Sequence, residues 1–264
     1  MDIIKNYYKS NAVHDSLIYY VNSSNRLEGD DSDFTYQIQL PPHSEFNYVS
    51  VLAASIPKSY YMIESGYNTF ILQENQSQVT ITLQAGNYNR KTLASVLASL
   101  LTSLSPNKWT YSITYPNNAL TYDTGLYTFL VTGNTSQPVF IFNQNSPYQQ
   151  LGFDISSSSQ DSAYNFNNGQ LIAPNVAKLY IDDNIFIHSD ICQNFNDNVL
   201  QEIYTGNNTS FSNIVYQNVA PKDYAKKMTT NSSNIYNFYL TNENGEEIFL
   251  NGQNIVITLR LYRY

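Results

Sequence analysis

The sequence predicts a mainly β chain: a single jelly-roll sandwich carrying an inserted small α+β domain that contains one long helix. Three observations carry that expectation. Short runs with period-two alternation recur along the chain, as half-buried strands require. One stretch, Asn89–Leu104, instead spaces its apolar residues for a helix. Eight β runs lie on either side of a module built around that helix, which is the strand inventory of a jelly roll.

Residues 1–15 carry Tyr7 and Tyr8 without a clear period and are expected to form a mobile N-terminal arm. Leu17–Val21, with Tyr19 and Tyr20, is a short β-rich run. Asp30, Asp31 and Asp33 follow in a polar turn whose spacing lacks the Gly and terminal Glu of an EF-hand loop. Phe34, Tyr36, Ile38 and Leu40 alternate against Thr35, Gln37 and Gln39, so Phe34–Leu40 reads as a half-buried strand. Tyr48–Ile56 is more continuously apolar, as expected of a strand covered on both sides, and Pro57 closes it. Thr69–Gln73 and Gln78–Leu83 flank a polar turn and read as a hairpin.

Leu93, Val96, Leu97, Leu100, Leu101 and Leu104 fall on one face of the helix. Asn89 is placed to cap it, and Pro106 disfavours helix at Ser105. A helix of about 22 Å results, and its leucine face needs a local sheet beneath it. Trp109–Tyr115, Leu126–Thr132 and Pro138–Phe142 supply further strands. Ser156–Asn168 is rich in Ser and Asn and reads as a linker. Beyond it, Ala177–Ile181, Ile185–His188, Val199–Tyr204, Asn213–Gln217, Ile235–Leu240 and Ile255–Leu261 join Phe34–Leu40 and Tyr48–Ile56 to make the eight. The insertion is thereby expected between the second and third strands. The domain boundaries that follow are 16–75 with 170–264 for the jelly roll and 76–169 for the insertion.

Composition narrows the function. The net charge is −8 with 13 Lys and Arg, whereas binding along phosphate backbones needs clustered cations, so nucleic acid is not an expected partner. No apolar run reaches the length of a membrane span, and the first residues lack a signal peptide's apolar core, so a soluble protein made in a cytosol or nucleus is expected. The single cysteine, Cys192, reads as a small buried hydrophobe. The chain holds 24 Tyr and 13 Phe, and tyrosine suits subunit contacts because its body is apolar and its tip polar. Biased codon usage accounts for the Tyr and Asn enrichment equally well.

No catalytic set assembles. His14, His43 and His188 stand in unrelated contexts without zinc-ligand spacing. His188-Ser189-Asp190 lies along a strand, where neighbours point to opposite faces. Asp182-Asp183 reads as a tight turn and not as a glycosidase pair. Gly86, Gly125 and Gly133 are isolated, without a phosphate-binding loop. Lys222, Lys226 and Lys227, like Arg260 and Arg263, read as solvated cations. The expectation is therefore a protein that is not an enzyme, with no catalytic residues, metal or cofactor.

The order of motifs adds a resemblance. Arg26–Gln39, the Ser55-Ile56-Pro57 segment within Val51–Tyr61, Gly86-Asn87-Tyr88 before the amphipathic helix, Leu151-Gly152-Phe153, and the closing run Leu240–Leu259 together resemble the penton or minor capsid proteins of virophages, polinton-like viruses and large nucleocytoplasmic DNA viruses. The resemblance spans most of the chain. It implies a structural capsid protein with a single jelly roll, forming pentamers at the fivefold vertices of an icosahedral shell beside the major capsid protein. It implies a location in the virion, after synthesis in a host cytoplasm or viral factory. Tyr7, Tyr8, Tyr19 and Tyr20 are the expected interface residues. The competing expectation is a carbohydrate- or receptor-binding jelly-roll module, for which exposed tyrosines and Trp109 would stack on sugar rings.

Overall fold

A computed structural model describes residues 16–40, 45–115, 124–156, 160–179, 184–192, 198–206, 211–229 and 232–263. The N-terminal arm lies outside the described residues, as do Asp182 and Asp183. In chain order the elements are β1 (Ser16–Asn22), β2 (Glu28–Gly29), β3 (Asp33–Gln37), β4 (Tyr48–Pro57), β5 (Thr69–Glu74), β6 (Ser77–Thr82) and helix α1 (Arg90–Leu104). Then come β7 (Thr110–Thr114), β8 (Thr128–Thr132), β9 (Val139–Phe142), the one-turn helix α2 (Tyr148–Leu151), β10 (Ser162–Asn165) and β11 (Gln170–Ile172). The chain closes with β12 (Ile185–Ser189), β13 (Val199–Ile203), β14 (Asn213–Gln217), β15 (Lys226–Lys227), β16 (Ile235–Thr241) and β17 (Val256–Tyr262). It is mainly β, with several antiparallel sheets and one helix of moderate length.

The chain divides into two units, one from the described residues of Met1–Tyr60 and Asp182–Tyr264, the other from those of Tyr61–Ile181. The first unit holds two sheets. One runs β1-β17-β4-β14, with β15 also on β4, and the other runs β13-β12-β16-β3-β2. Alternation fixes the register. Tyr19 faces Leu259 and Val21 faces Ile257, and Leu259 in turn faces Val51. Val21, Val51, Ile257 and Leu259 are all buried, so this side of the sheet is core. Pairing of β17 with β4 shifts between Thr258 and Leu259, a bulge that adds local twist. In the other sheet Phe34 faces Phe238, their rings stacked at 5.8 Å.

The second unit holds the sheets β10-β9-β5-β6 and β11-β8-β7, with α1 packed along β7 and β6. The helix follows from its sequence. Asn89 Oδ1 accepts from the Thr92 N–H at 2.9 Å, satisfying one of the unpaired first-turn donors. Leu93, Leu97 and Leu101 are buried in a core with Phe70, Ile81 and Trp109, and Val96 and Leu100 pack at its margin. Leu104, expected on the stripe, is 40% exposed at the last turn, and Ala94, outside the six stripe residues, is buried. After α2, Gly152 takes φ +83°, and a Cβ there would lie 2.4 Å from the Asn175 carbonyl oxygen. Only glycine fits both the left-handed cap and that approach.

Four expectations need correction. Ala177–Leu179 forms no strand, and Tyr180 and Ile181 lie outside the described residues. The Lys178 N–H donates to Gln149 O at 2.9 Å and Ala177 is buried in the second unit's core, which draws the segment away from any ladder. The eighth long strand of the first unit is β1, so the chain leaves that unit after its third long strand and not its second. Ser156–Asn168 is not wholly a linker, because β10 pairs with β9 and Tyr164 packs on Phe153 and Phe142. Its polar strand lies at a sheet edge, where one row of partners suffices. The boundary at 75/76 cuts the β5–β6 hairpin, and β5 also pairs with β9, so this strand belongs to the second unit. The units meet in sequence at 60/61 and 181/182.

Candidate interaction surface

The residues that promise chemistry in the sequence turn out to be held for other purposes. His188 Nε2 lies 2.9 Å from Thr241 Oγ1, and its ring stacks on Tyr239 at 4.5 Å. Ser189 Oγ accepts from the Ile191 N–H, while Asp190 Oδ1 accepts from the Asn237 N–H at 2.8 Å. These three side chains serve three separate contacts and not a relay. Asp30 Oδ1 accepts from the Ser32 and Asp33 N–H groups, an Asx turn. Asp31 Oδ2 accepts from the Gly252 N–H.

Cys192 is buried, and burial pushes its thiol up. Lys226 donates to the Val199 carbonyl, and burial pulls its ammonium down. It is thus a bridge between the two sheets of its unit and not a solvated cation. Arg263 pairs with Glu45 at 2.5 Å. Among the described residues, no group of three or more His, Cys, Asp or Glu is placed to hold a metal ion. No helix among them is long and apolar enough to cross a membrane.

The most buried carboxylate among the described residues, Glu74, sits at the end of β5. Its Oε1 accepts from Ser105 Oγ and Tyr111 Oη, both at 2.7 Å, and its Oε2 accepts from the Asn107 N–H at 2.8 Å. Ser105 Oγ in turn accepts from the Trp109 N–H at 2.7 Å. Both carboxylate oxygens are thus held by donors from the segment after α1, so Glu74 fastens the turn after α1 to the β5–β6 hairpin. Burial, followed by the bond to Glu74, pushes the Tyr111 hydroxyl up and keeps it a donor. Sequence reading missed this residue because a lone Glu before Asn75 looks like any turn acid.

Both units expose apolar side chains, and on the first unit several of them lie on one sheet. On β1, side chains alternate, so Tyr19 and Tyr20 part company. The Tyr19 hydroxyl donates to Gln37 O at 3.3 Å and accepts from the Gln39 N–H at 3.2 Å, tying β1 to the end of β3. Tyr20 is 67% exposed on the outer face, with Ile18 beside it. Tyr7 and Tyr8 lie outside the described residues.

Register extends the outer face across the sheet. Tyr20 continues through Thr258 and Ala53 to Gln217, and Asn22 through Val256 and Ser55 to Val215. None of β1, β17, β4 and β14 contains an Asp or Glu. The other sheet carries Glu28, Asp33 and Glu202. The contrast matters in a chain of net charge −8. Val215 and its exposed neighbours went unnoticed in the sequence, because a strand of only five residues does not show which of its faces is covered.

The fold and this surface define a class: a mainly β protein with an acid-free, partly apolar sheet face available for contact. No protein-family model and no curated protein matches the chain. Among solved structures it is similar to the SeMet-labelled mavirus penton protein, at 11% identity, covering 94% of this chain and 98% of that one, with a TM-score of 0.41.

Proposed function

We propose that this chain is a structural subunit of an icosahedral viral shell, a penton that assembles as pentamers at the fivefold vertices beside the major capsid protein. The observation that carries the reading is strand order. The sequence β1, β3, β4, β12, β13, β14, β16, β17 distributes as β1-β17-β4-β14 and β13-β12-β16-β3, the interleaving of two four-stranded antiparallel sheets that makes a jelly roll. On this reading the segment from β5 to β11 is an insertion between the third and fourth strands of that roll.

The motif order that resembles penton proteins supports it, and its pieces hold structural positions. Ser55-Ile56-Pro57 ends β4, Gly86 bridges Ile63 before the capped helix, and Leu151-Gly152-Phe153 makes the left-handed stop. The role needs no catalytic group, and the chain is read as non-enzymatic. Tyr20 belongs to the proposed contact surface, whereas Tyr19 serves within its own subunit. Trp109, the residue best suited to stack on a sugar, is 3% exposed and occupied in the second unit's core, which weighs against a carbohydrate-binding role.

Mass photometry of the purified chain tests the proposal. A species at five times the 30.1 kDa chain mass is expected. A strictly monomeric protein, or density placed away from the fivefold axes in a virion reconstruction, overturns it.

A further inference from the structure

Among the exposed large apolar side chains described in the first unit, two groups lie at opposite edges of one sheet. At the β1 edge stand Ile18 and Tyr20, 46% and 67% exposed. At the β14 edge Val215 is 76% exposed, with Phe211 at 72% just before the strand and Val219 at 97% just after it. Among the described residues β1 is paired with β17 alone and β14 with β4 alone. Natural edge strands are usually blunted by charge or proline, and neither strand contains a charged residue or a proline.

We propose that the β1 edge of one copy packs against the β14 edge of the next. This assignment rests on the oligomeric reading above and names its contact surface. Three features select a second copy as the occupant. The patches differ in composition and sit on opposite edges, which suits a head-to-tail contact; such a contact closes into a ring when the rotation per step allows it. A self-paired, two-fold contact would bury one patch and leave the other in water.

Direction agrees as well. Each neighbouring pair in β1-β17-β4-β14 is antiparallel, so β1 and β14 run in opposite senses. A copy set alongside in the same orientation therefore continues the sheet in the antiparallel sense. Charge agrees third. Two chains of net charge −8 repel, and the four strands concerned contribute no carboxylate to the junction.

The test uses the full chain with Tyr20→Glu and Val215→Glu made separately. Both positions are exposed, so each variant should keep the wild-type melting curve, and each should sediment as a monomer where the wild type is assembled. Mixing the two leaves one intact junction, the Val215→Glu chain's β1 edge on the Tyr20→Glu chain's β14 edge. The mixture should then form a dimer and nothing larger.

As a second readout, a Tyr20→Cys chain mixed with a Val215→Cys chain should crosslink across copies on oxidation, since Cys192 is buried. An assembled wild type whose oligomer survives either Glu variant, or a mixture that neither dimerises nor crosslinks, overturns the edge assignment and leaves the penton reading standing. A wild type that is monomeric at every concentration overturns both.

Discussion

In the second unit Phe70, Phe129, Phe140, Phe142, Phe153 and Phe166 pack ring against ring, at centroid distances from 4.7 to 6.3 Å. In the first unit Tyr20, Tyr204, Phe211 and Tyr224 stand largely in water. One composition, rich in aromatics throughout, is used in two ways. Where a helix and two small sheets must enclose a core from short strands, each ring contributes a large buried area. Where longer strands bury Val, Ile and Leu between two sheets together with Phe34, Tyr236 and Phe238, further aromatics stand on the surface. Aromatic content by itself thus does not tell which rings are buried and which are exposed.

Four expected outcomes bear on this contrast, from the largest effect to the smallest. Phe140→Ala removes the ring that touches Phe70, Phe129 and Phe166 at 5.1 to 5.3 Å. It should cost about 3–5 kcal/mol in urea denaturation, with amide protection lost from β5, β8 and β9 and the oligomeric state retained. A loss under about 1 kcal/mol would mean the cluster is not close-packed.

Tyr111→Phe keeps the ring but withdraws a donor from buried Glu74. A cost of about 1.5–3 kcal/mol is expected by the same measurement, the range for a hydrogen bond to a charged group. Asn89→Ala removes the helix cap and should cost about 1 kcal/mol, with faster exchange confined to the first turn of α1.

The smallest effect is in the first unit and depends on pH. Partial desolvation, then the nearby Asp33 and Asp30 carboxylates, raise the Glu247 pKa above its ordinary 4.5. The folded state therefore holds this proton more tightly than the unfolded chain does. Its stabilising contribution is full below pH 4.5 and declines as pH rises through the raised value. Denaturation midpoints measured across that range should fall less steeply for Glu247→Gln than for the wild type. Parallel profiles would remove Glu247 from the account.

Elements defined by local spacing are legible in the amino-acid sequence alone. The α1 stripe, its Asn89 cap, the β5–β6 hairpin and the alternating strands β3, β7, β16 and β17 are set by side-chain period and turn chemistry, which act within a few residues. The expected interface is half legible. Tyr19 and Tyr20 are strand neighbours and must face opposite ways, so one of them has to turn inward, but the sequence does not say which.

Membership in a sheet is another matter. β1 is a full strand because it pairs along its whole length with β17 from the far end of the chain, whereas Ala177–Leu179, also read as β from its sequence, is drawn into a different core. A ladder is a long-range contact, and its partner leaves no local mark. For the same reason, only the tertiary structure decided that β1 and β14 are, among the described residues, the edges of one acid-free sheet, and that Tyr20 and Val215 are among the side chains facing outward. Sequence determined what each segment is able to form; pairing between distant segments decided which surfaces were left exposed.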